Sequence, residues 1–246
     1  MSHHAELLDD NDPQPRDPQP RRPALMLLLR RPMRWLKWFA LRCFALMLAL
    51  VFLFAFVNPP TTWTILTETR AHPGTPHTWT PISEISPNML RAVVAAEDAN
   101  FCSHWGFDMQ EIRKVVASGS SRGASTLTQQ TAKNVYLWQG RSWPRKFLET
   151  AYTPMLNFVW SKRRIVEVYL NVAEFGPGVF GIAAAAKYHF KTTPDKLTMR
   201  QAAALASILP APKTRKPDPN SPRSRQIISG AETIAADGRD GCLHLN

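Results

Sequence analysis

A chain of 246 residues can bury one sizeable core, so one globular unit with appendages is expected and a second catalytic domain is not. Its formal net charge of +11 admits nucleic acid, an anionic membrane surface or a phosphorylated substrate as partners, and the placement of the charge chooses among them. Cys43, Cys102 and Cys242 show neither a C-x-x-C spacing nor a cluster with histidine, so zinc and thioredoxin-like chemistry are unsupported; Cys43 falls in an apolar run, and nothing in the pattern favours a bond between the other two.

Residues 1–22 are rich in Asp, Pro and Gln with almost no apolar side chains, and read as a disordered tail. From Phe39 to Val57 the chain is apolar apart from Arg42, which lies near the start of the run and can snorkel, and the length suits a hydrocarbon core of about 30 Å. Asn58, Pro59 and Pro60 follow it in place of a small-residue cleavage site, so the run reads as an anchor and not a cleaved signal. Arg21, Arg22, Arg30, Arg31, Arg34 and Lys37 precede it and by the positive-inside rule stay cytoplasmic, which puts the body of the protein outside. The expected organisation is a basic cytoplasmic tail over 1–33, a transmembrane anchor over 34–58, a globular domain over 59–226 and an uncertain C-terminal tail over 227–246. Eight of the basic residues precede Pro59, yet the body beyond it is also basic; facing outward and without a recognised binding motif, it is not read as a nucleic-acid binder.

Within the body, apolar residues recur at spacings of three and four, which makes the fold class mainly α. The Trp63 to Trp79 stretch is expected to hold a short extended segment. Ser86 and Pro87 read as an N-cap and first-turn proline, followed by Met89, Leu90, Val93 and Val94 on one face, and this helix delivers Glu97 at its C-terminal end. A second helix starts at Ser161 and carries Ile165, Val168, Tyr169 and Leu170, with Glu167 expected to pair with Arg163 one turn earlier. A third starts at Thr198, where Gln201 completes a capping box, and Pro210 stops it. Beyond Pro212 the chain is polar and Pro-rich.

Three stretches carry candidate chemistry. Glu97 to Asp108 sets acids, an imidazole and three aromatic rings beside one glycine; a carboxylate in apolar surroundings suits general acid/base work, and a solvated loop acid is the structural alternative. Gly123 to Asn134 is dense in hydroxyls and amides, which either bind sugar and phosphate oxygens or cap a helix start. Arg141 to Glu149 gathers cations beside an acid, either a surface ion pair of little weight or fixed positive charge for a departing pyrophosphate.

In order, these stretches resemble the motifs E-D-x-x-F-x-x-H-x-G-x-D, G-[GA]-S-T-[IL]-T-Q-Q followed by x-x-K-N, and the basic third motif of the peptidoglycan glycosyltransferases. That family comprises monofunctional biosynthetic enzymes and the glycosyltransferase domains of bifunctional penicillin-binding proteins. Ser161 to Asn171 resembles its fourth motif, S-K-x-x-I-x-E-x-Y-L-N, read here as a packed helix, with Asn171 and Glu174 as weaker site candidates. The likeness extends over roughly residues 84 to 226. It departs in a short interval between the first two motifs, in Cys102, and in a stretch after Gln226 that lacks the expected apolar helix.

The resemblance implies a lysozyme-like, bilobal helical domain that joins the 4-hydroxyl of one lipid-linked disaccharide to the anomeric carbon of a chain carried on undecaprenyl pyrophosphate. Glu97 matches the catalytic base and Glu149 the second glutamate. Asp98, Phe101 and His104 would orient the base, while Ser125, Thr126, Gln129, Gln130 and Asn134 match the second motif. Lys133, Arg141, Arg145 and Lys146 match the basic residues near the substrate phosphates. No cofactor is required, although a divalent cation (Mg or Mn) would suit the pyrophosphate. Expected partners are lipid II, undecaprenyl-diphosphate-linked glycan, the bacterial inner membrane and cell-division or elongation proteins. A wall hydrolase of lysozyme type and an inactive membrane-anchored scaffold are the rival readings. With no S-x-x-K or K-T-G motif, no peptide cross-linking is expected.

Overall fold

An unbroken apolar stretch has no means of satisfying its backbone except by coiling, and the computed structural model, which describes residues 24–72, 77–119, 125–140 and 142–245, opens on such a helix. Helix α1 runs from Ala24 to Phe56, beginning ahead of position 34, where the anchor was expected to start. The tail over residues 1–22, with Arg21 and Arg22, lies outside the described residues. Within α1 the span Pro32–Phe56 has 25 residues, a length of about 37 Å at ~1.5 Å per residue.

The chain divides into two compact units, Met1–Leu46 and Met47–Asn246. The second therefore includes the end of α1. Trp160 donates its indole N–H to Val51 O at 2.7 Å. The Arg164 guanidinium donates to Phe54 O, Val57 O and Asn58 Oδ1 and pairs with Glu167 at 2.8 Å, placing a cation where a helix C-terminus leaves its carbonyls bare. The expected Arg163–Glu167 pair is corrected here: Arg163 reaches instead for Leu243 O at 2.6 Å, because residues one apart on a helix face directions about 100° apart.

The Trp63 to Trp79 stretch, expected to hold a short extended segment, begins instead as helix α2, Trp63–Ala71, capped by Thr62. Thr67 and Thr69 return their hydroxyls to the carbonyls of Trp63 at 2.9 Å and Ile65 at 2.6 Å, a bond that makes β-branched hydroxyl residues tolerable in a helix.

Helix α3 (Pro87–Glu97) is capped by Ser86, as expected. Helices α4 (Met109–Ser118), α5 (Leu127–Tyr136), α6 (Trp143–Val159) and α7 (Lys162–Val172) follow, α7 starting after Ser161 as expected. A hairpin of β1 (Glu174–Gly176) and β2 (Val179–Phe180) leads to α8 (Ile182–Phe190). Helix α9 (Met199–Ile208) carries the expected Thr198–Gln201 capping box. The core holds α3 against α9 and the last helix, α10 (Pro222–Ala236), and α5 against α6 and α7; Ala202 to Ala206 of α9 are wholly buried, a mostly small-residue surface that lets neighbouring helices approach closely.

The second correction concerns the C-terminus. Residues Pro222–Ala236 form helix α10, capped by Ser221. Its buried stripe is Ser224, Ile227, Ala231 and Ile234, spaced by three, four and three as a helix face requires. The helix packs closely on α3, where a side chain at Gly230 would press on Ala95 at 3.3 Å. The third correction is the disulfide between Cys102 and Cys242, whose Cα atoms lie 5.5 Å apart. Folding back of α10 brings these two distant cysteines together, which sequence spacing does not encode.

Candidate active site

Glu97 ends α3, its carboxyl packed where helix and following loop meet. Gln130 Nε2 donates to its Oε2 at 2.9 Å, while Oε1 is buried and has no hydrogen-bond partner among the described residues. Burial pushes the Glu97 carboxyl above the ordinary glutamate value, opposed by the Gln130 bond and the charges of Arg223 and Lys133. Gln130 is held in turn: Tyr169 donates its hydroxyl to Gln130 Oε1 at 3.1 Å, which leaves the amide nitrogen facing Glu97.

The loop after Glu97 is cross-braced. Asp98 Oδ1 accepts from His104 Nε2 at 2.8 Å and Oδ2 from the Leu127 N–H at 2.9 Å, tying the loop to the start of α5. His104 Nδ1 accepts the Gly106 N–H at 3.2 Å, so the ring proton sits on Nε2 and points at Asp98. Gly106 has φ of +91°, and a Cβ there would lie 2.8 Å from Thr153 Cγ2; only glycine fits this turn. Phe101 is wholly buried, with the Lys162 ammonium 4.5 Å over its ring and donating to His104 O at 2.7 Å. Burial brings the Lys162 ammonium down to about 8.

Thr126 and Gln129, both candidate ligands, close a capping box at the start of α5: Thr126 N–H donates to Gln129 Oε1 at 3.0 Å, and Gln129 N–H to Thr126 Oγ1 at 3.3 Å. Thr126 also donates to Gly106 O at 2.6 Å. On α6, Glu149 is 3% exposed and accepts from Arg145 at 2.8 Å on one oxygen and from the Lys146 ammonium on the other. Arg145 also donates to Gly140 O at 2.7 Å, and Lys146 to Ser125 Oγ at 3.3 Å. Lys133 of α5 lies within the reach of all these charges; burial lowers its ammonium, Glu149 and Glu97 raise it, and Arg145 and Lys146 lower it. Arg141, Gly123 and Ala124 lie outside the described residues.

Two cavities meet at this point. One of about 500 Å³ is lined by Glu97, Ser125, Gln130, Lys133 and Arg223; the other, of about 340 Å³, by Lys133, Asn134, Gln139, Glu174 and Lys213. Gln130, Lys133, Leu209 and Pro210 line both, so Lys133 stands between the two. Asn171 does not reach the cleft: its amide is buried and bonded to both polar atoms of the Thr80 backbone. Arg223 escaped the sequence reading. It donates to Ala96 O at 3.0 Å beside Glu97, from a helix whose sequence resembled a tail.

A buried carboxyl with one oxygen unengaged, next to cations organised around a second buried carboxylate, can take a proton and stabilise an anionic leaving group; this is the apparatus of a group-transfer enzyme acting on an anionic substrate. The chain belongs to the transglycosylase family, whose family model, described as Transglycosylase, matches residues 64–235, and it is a glycosyltransferase. Curated relatives bear the name biosynthetic peptidoglycan transglycosylase. The protein of Jannaschia sp. (strain CCS1) is 50% identical over 223 residues, covering 88% of this chain and 92% of the relative. That of Pseudomonas entomophila (strain L48) is 48% identical over 199 residues, 76% of this chain and 82% of the relative. That of Caulobacter vibrioides is 41% identical over 201 residues, 78% and 88%.

Proposed function

We propose that this chain polymerises lipid II into peptidoglycan glycan, and that the unengaged Oε1 of Glu97 is the atom that receives the acceptor's proton. As the 4-hydroxyl of the acceptor loses its proton to Glu97, its oxygen attacks the anomeric carbon of the donor. The bond from that carbon to the pyrophosphate oxygen breaks with both electrons leaving on the phosphate, and direct displacement inverts the carbon. Burial raises the affinity of Glu97 for a proton, which suits a base working near neutrality. Lys133, Arg145 and Lys146 face the developing charge. Glu149, with both oxygens bonded to two of those cations, acts by holding them in place. Ser125 and Asn134 line the two cavities beside them, while Thr126, Gln129, Asp98, Phe101 and His104 set the shape of the site from behind. Among the described residues no three His, Cys, Asp or Glu side chains converge on a point, so the residues do not fit a protein-built cation cage and no step is routed through a metal.

Both substrates are lipids, and the span Pro32–Phe56 is long and apolar enough to cross a bilayer. The basic flank before it favours a cytoplasmic N-terminus in the bacterial inner membrane and an outer catalytic unit, and the disulfide fits an oxidising compartment. Large apolar side chains left exposed on α4 and α6, Met109, Val116, Trp143, Phe147 and Phe158, suit a catalytic unit that rests on the same bilayer.

Polymerisation of labelled lipid II in detergent tests this reading. The intact protein should make long, lysozyme-sensitive glycan and Glu97→Gln should lose about 100- to 10,000-fold in rate, the range for loss of a general base. Glycan made equally well by both would remove Glu97 from the mechanism.

A further inference from the structure

A third cavity, of about 620 Å³, adjoins the cleft and is lined by Ser207, Ile208, Pro210, Arg215, Lys216, Ser221 and Arg223. Pro210 and Arg223 also line the cavity that holds Glu97, so the two spaces adjoin at these two residues. Three of its seven lining residues are cations, and among the described residues none of the three takes part in an ion pair. Their bonds go to backbone only: Arg215 to Ser207 O at 3.2 Å and Arg223 to Ala96 O at 3.0 Å. The acid nearest in sequence, Asp218, turns its carboxylate to the Asn220 N–H at 2.8 Å. Arg223 also acts on the Glu97 carboxyl, but a concave surface with three cations outside any ion pair and no acid in its lining selects an anion.

That anion is not the pyrophosphate. The cations assigned to the leaving group, Lys133, Arg145 and Lys146, stand on α5 and α6, and none of them lines this third space. The substrate carries a second anionic part, the peptide attached to its disaccharide, with free carboxylates at its terminus and side chains. Resting on the reading of the chain as a lipid II polymerase, we propose that the cavity between the end of α9 and the start of α10 is a subsite for the substrate's peptide. Its carboxylates are received by Arg215, Lys216 and Arg223. Arg223, shared by both cavities, joins peptide recognition to the site of proton transfer. The subsite makes the enzyme selective for an acidic peptide-bearing disaccharide over the bare lipid-linked sugar.

The test compares two substrates, lipid II with its pentapeptide and the same lipid-linked disaccharide with the peptide replaced by a neutral amide, using the intact protein and the double variant Arg215→Gln, Lys216→Gln. Both side chains are exposed, and a thermal melt checks that the variant is folded. Two exposed ion pairs predict a KM about five-fold lower for the pentapeptide substrate in the intact protein, equivalent to about 1 kcal/mol. The double variant should lose that preference by raising KM for the pentapeptide substrate alone, and roughly 1 M salt should erase the difference in the intact protein, where screening reaches within about 3 Å. Equal KM for both substrates in the intact protein, or an equal effect of the variant on both, overturns the subsite. Binding of the same two substrates to Glu97→Gln, with and without the double change, reads the cavity without turnover. A failure of polymerisation is thereby separable from a failure of peptide recognition.

Discussion

Replacing Asp98 by asparagine preserves the outline of the side chain but removes its charge and one accepting oxygen. Both oxygens are in use, one on His104 Nε2 at 2.8 Å and the other on the Leu127 N–H at 2.9 Å. His104 cannot compensate by moving its proton, because Nδ1 is already committed to the Gly106 N–H. One buried donor is therefore left without an acceptor, at a cost of about 2 kcal/mol. For a unit the size of Met47–Asn246 each kcal/mol lowers Tm by about 2–4 °C, so Asp98→Asn should melt about 4–8 °C below the parent. A second signature separates this from nonspecific damage. Burial does most to raise the Glu97 carboxyl and the Asp98 charge adds to it, so removing that charge lowers the pKa of Glu97. A base acts when deprotonated, and the acid limb of kcat/KM should then move to lower pH. Thermal melts together with a pH profile of lipid II polymerisation measure both. An unchanged Tm, or an acid limb displaced upward, would refute the bracing of the loop by Asp98.

The disulfide closes a sequence separation of 140 residues, for which chain entropy predicts about 5 kcal/mol and experience with native bonds about 2–5; Cys242→Ser should melt well below the parent and ignore reductant, while reductant should lower the parent's Tm to the same value. Lys162 holds its proton to about 8 in the folded protein against 10.5 when free, so between those values the unfolded chain binds more protons and stability rises with pH. Lys162→Met should flatten that rise in denaturant titrations across the same window, and an unaltered slope would count against the buried ammonium. Asn171→Ala strands both polar atoms of the Thr80 peptide and should cost about 2–4 kcal/mol, with kcat retained below the melting range; a loss of kcat without a loss of Tm would place Asn171 in the chemistry after all.

What could be read in advance was local in kind. Ser86 with Pro87, and Thr198 with Gln201, announce helix starts because a cap is formed by residues adjacent in the chain. Glu97, Lys133, Arg145, Lys146 and Glu149 came from motif resemblance; the fold sets Glu97 and Lys133 on the cavity walls and ties the Arg145–Lys146–Glu149 cluster to them through Ser125. Less legible were features decided by distant partners. Helix α10 reads as a polar tail because its sparse stripe of Ser224, Ile227, Ala231 and Ile234 becomes intelligible only against α3 and α9. Arg163 and Arg164 are neighbours in sequence, and only packing against the C-terminal turn and α1 assigns them to Leu243 O and Phe54 O respectively. The helix from Trp63 is supported by threonines that bond to the carbonyl one turn back, a choice that residue type alone does not announce. Arg223 reaches the site from α10, and so shared its concealment.

The end of α1 is built into the catalytic unit. Val51 is wholly buried, Trp160 takes its acceptor from that residue, and Arg164 binds the last carbonyls of the helix. A cut at the conventional border after the apolar run would strip these partners from α6 and α7, so a catalytic fragment has to retain residues 47–58 to remain whole. Under the membrane anchoring proposed above, the enzyme therefore cannot be shed by proteolysis just past the span and still be complete. With the anchoring and substrate proposed above, its search is confined to a surface, and its encounters with lipid II are set by density per unit area and not by concentration in a volume.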